Sequence, residues 1–274
     1  MASPTDKILS VAIGGMGAIG FPVARRLAQG LPGFRLAAVA ARDAGRAETR
    51  LAAAGIAAPV VPLAELAERA DIVVECLPAT QFRAIAEPAI AGARIFVPLS
   101  AGALLEHIDL IERARESGAR IVVPTGALLG LDAVRAAAEG EIRSVTMTTR
   151  KPPRGLAGAP YLALHGISLE RLTAPLKVFE GSARDGARGF PDNVNVAAAL
   201  ALAGIGPERT RLSIWADPTL ERNTHLIEVE ADSGRFSMTI QNIPSIENPR
   251  TGRLTPLSVI ACLRGLTGTF RVGS

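Results

Sequence analysis

A glycine turn near the start of the chain restricts its fold more than any other feature. Ile8–Ile13 (ILSVAI) is a short apolar run of the kind that forms a buried strand. Gly14-Gly15-Met16-Gly17-Ala18-Ile19-Gly20 follows at once, with Gly15, Gly17 and Gly20 spaced as G-x-G-x-x-G. Ala18–Gln29 then reads as a helix with Ile19, Val23, Ala24 and Leu27 on one face, closed by Gly30 and Pro32, and Phe34–Ala41 is a second apolar run. Dinucleotide binding requires this order. Gly15 permits a tight turn, Gly17 removes a side chain where a pyrophosphate meets the backbone, and Gly20 lets helix and strand pack closely. The helix start, with Ala18 and Ile19, offers unpaired N–H groups and the positive end of a dipole to the phosphates. A Gly-rich turn in another α/β fold is the competing reading. The flanking strand and helix favour a nicotinamide dinucleotide.

The end of the second strand bears on which dinucleotide. An NAD-selective site usually places Asp or Glu there, on the ribose 2′-OH. Here Ala40-Ala41-Arg42-Asp43 puts alanine at the acidic position and an arginine after it. Arg42 suits a 2′-phosphate, so NAD or NADP is expected, with NADP accepted. A solvated loop arginine is the alternative, and Asp43 remains able to reach a ribose.

Asp71–Leu77 (DIVVECL), Arg94–Leu99 (RIFVPL) and Arg120–Val123 are further strands, separated by helical stretches at Gln81–Ala91 and Leu104–Ser117. Such alternation predicts a parallel sheet with helices on both faces. Ligands of these sheets lie beyond the carboxyl ends of the strands. Leu77, Pro78, Ser100, Ala101 and Ala127 fall there and join the candidate cofactor contacts. Beyond about residue 125 the pattern changes. Ser144–Thr149 alternates as a half-buried antiparallel strand, and Arg150–Ala159 reads as a Pro/Gly loop. Asn193–Ala203 reads as a buried helix, and Arg211–Asp217, His225–Ala231 and Arg235–Ile240 as strands. The expected fold class is α/β, a Rossmann-type parallel-sheet domain (1–125) followed by an α+β substrate and dimerisation domain (126–249). The C-terminal helix (about 250–274) is expected to pack back on the first domain.

Composition excludes several classes. With 48% apolar and 20% charged residues among 274, the chain has material for an ordinary core. No apolar run approaches a membrane span, and MASPTDK has no leader-like pattern, so a cytoplasmic protein without membrane contact is expected. The basic residues are 27 Arg and only 3 Lys, scattered mostly as single residues, with one Trp and one Tyr for stacking. A nucleic-acid partner is therefore not expected, and an anionic small substrate accounts better for local positive charge. Cys76 and Cys262 lie in separate apolar segments and read as buried reduced thiols. Three histidines without a Cys/His cluster argue against a metal.

The resemblance to a known family is specific. GGMGAIG at 14–20, VECLPATQ at 74–81, PTGALLGLDAV at 124–134, TTRKPP at 148–153, FEGSARDGARGFPDNVNVAAALALAG at 179–204, ADPTLERNTHLIEVE at 216–230 and ENPRTGRLTPLS at 247–258 together resemble the L-aspartate dehydrogenases. The resemblance implies NAD(P)-dependent oxidative deamination of L-aspartate through iminoaspartate to oxaloacetate and ammonia, or supply of iminoaspartate to NAD biosynthesis. It also implies a homodimer. It places the family's active-site histidine on His225 and further cofactor contacts on Ala127 and Asn195. This chain departs from the family at Leu226, where members often carry an acidic residue. In a strand that neighbour faces away from the histidine.

The residues themselves point the same way. Amine deprotonation and imine hydrolysis call for a base with a pKa near neutrality, which suits histidine. His225 follows Asn223-Thr224 at the start of a strand. His107, in LLEHIDLIERA, reads as a surface or packing residue, and His165 lies in a loop. A structural role is the alternative for His225. A dicarboxylate needs cations or N–H donors. Lys151, Asn193 and Thr224 are the candidate substrate contacts, and Asn195 suits a carboxamide. For Lys151 the alternative is a solvated loop charge, and for Asn193 a helix N-cap. Two rival functions remain: another Rossmann oxidoreductase, of the dihydrodipicolinate reductase type, and a non-catalytic dinucleotide sensor.

Overall fold

The computed structural model describes residues 8–191, 193–248 and 251–273. The MASPTDK segment, Asp192 and the Pro249-Arg250 step of ENPRTGRLTPLS lie outside the described residues. The chain divides into two compact units. One comprises Met1–Ser100, Glu106–Pro124 and Thr255–Val272; the other comprises Ala101–Leu105, Thr125–Leu254 and Gly273–Ser274.

In the first unit the elements run β1 (Leu9–Gly14), α1 (Gly20–Ala28), β2 (Phe34–Ala40), α2 (Ala44–Ala53), α3 (Leu66–Arg69), β3 (Ile72–Glu75), α4 (Phe82–Ala91) and β4 (Ile95–Pro98). The chain then forms α5 (Ala101–Glu106), which belongs to the second unit up to Leu105, and returns to the first with α6 (Asp109–Ser117) and β5 (Arg120–Ile121). The strands form one parallel sheet in the order β2-β1-β3-β4-β5. Its middle strands are continuous apolar runs because both faces are covered. Val11, Ala12, Ile13, Ile72, Val73 and Val74 have no exposed surface. The strand order reverses at β1, between β2 and β3, which is where ligands of doubly wound sheets bind.

The helical stretch expected over Leu104–Ser117 is two helices, α5 and α6, interrupted at His107-Ile108. The apolar residues of α6 are few, Leu110 and Ala114 being its buried ones. The helix ends at Gly118, whose φ of 76° is a left-handed C-terminal turn.

In the second unit come α7 (Leu131–Ala138), β6 (Ile142–Lys151), α8 (Pro160–Leu164), β7 (Leu176–Ser182), α9 (Ala183–Gly189) and α10 (Asn195–Ala203). They are followed by β8 (Thr210–Ala216), β9 (Asn223–Ala231) and β10 (Gly234–Asn242). These strands form a mixed sheet in the order β10-β9-β6-β8-β7. Here β6 differs from the purely antiparallel expectation. It runs antiparallel to β9 but parallel to β8, at the centre of the sheet. The connection from β6 to β8 passes through β7, α9 and α10, long enough to return the chain in the same direction. Alternate residues of β6, β8 and β9 are buried, and α9 and α10 pack against the sheet. The alanine-rich α10 can approach closely, burying Ala197–Ala201.

The last helix, α11 (Leu254–Thr267), places Val259 and Leu263 in the core around β1 and β2. Cys76 and Cys262 are free thiols, each partly rather than fully buried. Among the described residues no helix is long and apolar enough to cross a membrane.

Candidate active site

The glycine turn has the shape a dinucleotide needs. Gly15 has φ = 100°, and a Cβ there would lie 2.3 Å from the Cys76 carbonyl oxygen. A Cβ on Gly20 would lie 1.8 Å from the Gly15 carbonyl oxygen, so any side chain would push α1 away from the turn. Gly17 is the opposite case: a Cβ there would meet nothing within 4 Å. Gly15 and Gly20 are thus fixed by packing, whereas Gly17 borders open space where a phosphate can approach. No side chain caps α1, but Phe21 N donates to the Gly17 carbonyl at 3.2 Å, Val23 N donates to the Ile19 carbonyl at 3.3 Å, and Pro22 has no N–H, so the donors left for a phosphate at this turn are those up to Gly20. Arg50, from α2, braces the turn. It donates to the Met16 carbonyl at 3.0 Å and stacks 3.8 Å over the Phe21 ring.

Arg42 is exposed immediately after β2. Asp43 does not stand ready for a ribose, since its Oδ1 accepts from Arg46 N at 2.9 Å and caps α2. Arg42 is therefore the side chain at this strand end with its charge directed to solvent.

Glu75 organises the next two strand ends and was not singled out in the sequence. It is fully buried at the end of β3. Its carboxylate accepts from Leu77 N at 2.7 Å, Leu99 N at 3.2 Å, Ser100 N at 2.9 Å and Ser100 Oγ at 3.0 Å. Burial pushes its pKa up, and the hydrogen bonds from Ser100, Leu77 and Leu99 oppose that. One carboxylate thus pins the turns carrying Leu77, Pro78 and Ser100. Glu75→Gln would face a donor NH2 toward these donors and leave at least one unpaired. That costs about 1–3 kcal/mol. We expect a melting temperature several degrees lower, with weaker NAD(P)H binding in a fluorescence titration.

In the second unit, β6, β9 and the start of α10 bring polar groups together on the helix-covered face of the sheet. His225 is buried on β9, directly opposite Thr149 of β6. Thr149 Oγ1 lies 3.1 Å from His225 Nδ1. Lys151, two residues along β6, is buried on the same face rather than in a solvated loop, because β6 continues through it. Its Nζ donates to the Asn193 carbonyl at 3.2 Å and to Asn193 Oδ1 at 2.8 Å. Asn193 is accordingly not an N-cap; the residue at that position is Val194. Burial, and secondarily the Lys151 ammonium, depress the His225 pKa to about 3. The imidazole is neutral at neutral pH and holds one ring proton.

Other candidates stand differently. Thr224 alternates to the opposite face of β9 from His225, opposite Arg150 and Gln241, so it does not join this cluster. The buried neighbour sharing the histidine's face is Asn223. Asn195 Oδ1 accepts from Gly102 N at 3.0 Å, next to Ala101, which leaves the Asn195 amide NH2 for a ligand. The Ala127 carbonyl is taken by Asn242 Nδ2 at 2.7 Å. His107 stacks on Phe82, and the exposed His165 lies against Tyr161. Of the residues not foreseen, Glu75 had a signal in the sequence, a carboxylate inside the apolar run DIVVECL. Thr149 and Arg50 had none, since their partners are distant in sequence.

A glycine turn at the switch point of a parallel sheet, followed by a mixed sheet with a buried histidine and lysine, defines a nicotinamide-dependent dehydrogenase of Rossmann type. Residues 15–124 match the family described as homoserine dehydrogenase, NAD binding domain, and residues 132–266 match aspartate dehydrogenase, C-terminal. The L-aspartate dehydrogenase of Bradyrhizobium diazoefficiens is 55% identical over 266 residues, covering 97% of this chain and 94% of that one. L-aspartate dehydrogenase 3 of Bordetella bronchiseptica is 54% identical, covering 97% and 98%. The chain belongs to the L-aspartate dehydrogenase family. The crystal structure of aspartate dehydrogenase from Thermotoga maritima shares the fold, with a TM-score of 0.73 at 23% identity over 97% of this chain and 99% of that one.

Proposed function

We propose that the protein oxidatively deaminates L-aspartate with NAD or NADP, giving iminoaspartate, which hydrolyses to oxaloacetate and ammonia or feeds NAD biosynthesis. The observation that carries this reading is the buried pairing of His225 with Thr149 and of Lys151 with Asn193 on one sheet face. It occurs in a chain more than half identical to relatives bearing that name. We read the first unit as the cofactor unit and the second as the substrate and dimerisation unit of a cytoplasmic homodimer.

The glycine turn and the start of α1 would hold the pyrophosphate, with the Leu77, Pro78 and Ser100 turns beside them and Ala127 and Asn195 as further contacts. The nicotinamide supplies one piece of chemistry, acceptance of a hydride from the substrate Cα. His225, neutral at working pH, takes a proton from the substrate amine. The same imidazole then takes a proton from the water that attacks the imine, once its first proton has left. Lys151, steadied by Asn193, holds a substrate carboxylate and so orients the Cα–H bond.

The test is absorbance at the reduced-cofactor band with purified protein, each cofactor in turn, and L-aspartate against a panel of other amino acids and dihydrodipicolinate. Turnover confined to L-aspartate supports the reading. Cofactor binding with no turnover on any substrate would favour a sensor instead. In the same assay Arg42→Ala should raise KM for NADP roughly tenfold, about 1.4 kcal/mol for one lost arginine–phosphate contact, and leave KM for NAD unchanged. Equal effects on both cofactors would refute the 2′-phosphate role.

A further inference from the structure

We propose that Thr149 is a positioning residue for His225: its hydroxyl oxygen accepts the Nδ1–H hydrogen bond, fixing the imidazole in the tautomer whose Nε2 is the free base. This rests on His225 being the base.

The register supplies the first argument. Thr149 and His225 are directly paired residues of adjacent antiparallel strands, so their side chains stand together on one face. The hydroxyl lies 3.1 Å from Nδ1, and both residues are buried, which keeps bulk water from competing for that nitrogen. On the other side of β9 the paired residue is Ile240, which has no side-chain polar group to offer. Lys151 is a donor only and cannot accept a ring proton's hydrogen bond. Among the described residues Thr149 is the side chain in hydrogen-bond reach of the ring. Being β-branched, it has few rotamers in a strand, so its hydroxyl is held in one direction.

The second argument is proton accounting. Burial first, and the Lys151 ammonium second, hold the imidazole neutral at neutral pH. A neutral ring carries its proton on one nitrogen and has a lone pair on the other. Nδ1 is engaged by Thr149; Nε2 makes no hydrogen bond among the described residues and is the nitrogen left for substrate. For Nε2 to accept the amine proton, Nδ1 must already carry one, and the hydroxyl must accept it. The reverse arrangement, with the hydroxyl donating to Nδ1, would put the ring proton on Nε2 and remove the base. The departure at Leu226 fits: an acidic residue there would face away from the ring, and in this chain the orienting group comes from the neighbouring strand.

Long-range 1H–15N correlation spectra of the protein labelled in its histidines read the tautomer directly. Three histidines give three patterns, assigned with His107→Gln and His165→Gln. The expected result is a His225 pattern with the proton on Nδ1 across neutral pH. Thr149→Val, which keeps the shape and removes the hydroxyl, should perturb that pattern. It should also lower kcat, by roughly 10- to 100-fold on the scale known for partners that orient metal-bound imidazoles, with KM for L-aspartate little changed. Thr149→Ser should restore both. A wild-type spectrum with the proton on Nε2 overturns the proposal without any variant. So does a Thr149→Val enzyme with unchanged tautomer, or with unchanged kcat. Failure of the underlying reading is a different result: His225→Ala with undiminished turnover.

Discussion

His225→Ala is expected to lower kcat for L-aspartate by roughly 10²–10⁴-fold, the range for losing a general base. Binding of NAD(P)H, followed by fluorescence, is expected to persist, because the glycine turn and the Glu75 clamp belong to the first unit. The expectation rests on burial and neutrality together. A protonated histidine cannot accept the amine proton, and with its pKa near 3 this one is unprotonated throughout the assay range. Its low basicity also has a consequence. A base so weak is poorly matched to an amine, so the substrate must raise it. On the proposed mechanism a carboxylate held by Lys151 would offset the ammonium charge, the second of the two causes of the depression, and leave burial, the larger one. The substrate amine is an ammonium throughout the range below neutrality, so kcat/KM should show no titration of the free enzyme's histidine until pH approaches about 3. Full activity in His225→Ala would leave the family assignment standing and remove this mechanism.

The first unit was legible because its signals are local. Turn, helix start and buried strands each lie within a few residues, and the switch point follows from their order. The strand at Ser144–Thr149 was legible from alternation, but its parallel partner β8 was not, because alternation is blind to direction. Lys151 shows a second limit. The two prolines after it suggested a loop, yet the strand persists up to Pro152, and this converts an apparent surface charge into a buried one. Thr224 shows a third: sequence adjacency to His225 in a strand means opposite faces. Thr149 and Glu75 act through groups tens of residues away, 76 for Thr149 and His225 and 25 for Glu75 and Ser100. Only the register of adjacent strands brings such pairs together.

Lys151→Met tests the charge that links substrate binding to the histidine. Methionine keeps the length and apolar stem of the side chain and removes the ammonium. If Lys151 anchors a carboxylate, kcat/KM for L-aspartate should fall by roughly 30- to 1000-fold, about 2–4 kcal/mol for a buried charged contact. Most of that should appear in KM. The same variant should alter stability against pH in a direction fixed by His225. The folded-state pKa of about 3 lies below the reference 6.5. Below pH 6.5 the unfolded chain therefore takes up a proton that the folded chain refuses. The histidine's contribution is complete above pH 6.5 and is lost progressively as pH falls toward 3. Between pH 6.5 and 4.5 the wild type should lose about 2–3 kcal/mol from this group alone. Without the ammonium the folded pKa rises, so the loss saturates at a higher pH. Urea titrations at pH 7 and close to the folded pKa of about 3, where the buried imidazole itself takes up its proton, should show Lys151→Met losing less stability between the two than the wild type does. An equal loss would mean that Lys151 does not act on the imidazole. An unchanged kcat/KM would mean that the substrate carboxylate is held elsewhere. The two readouts are independent, so the variant separates the lysine's role toward substrate from its role toward the base.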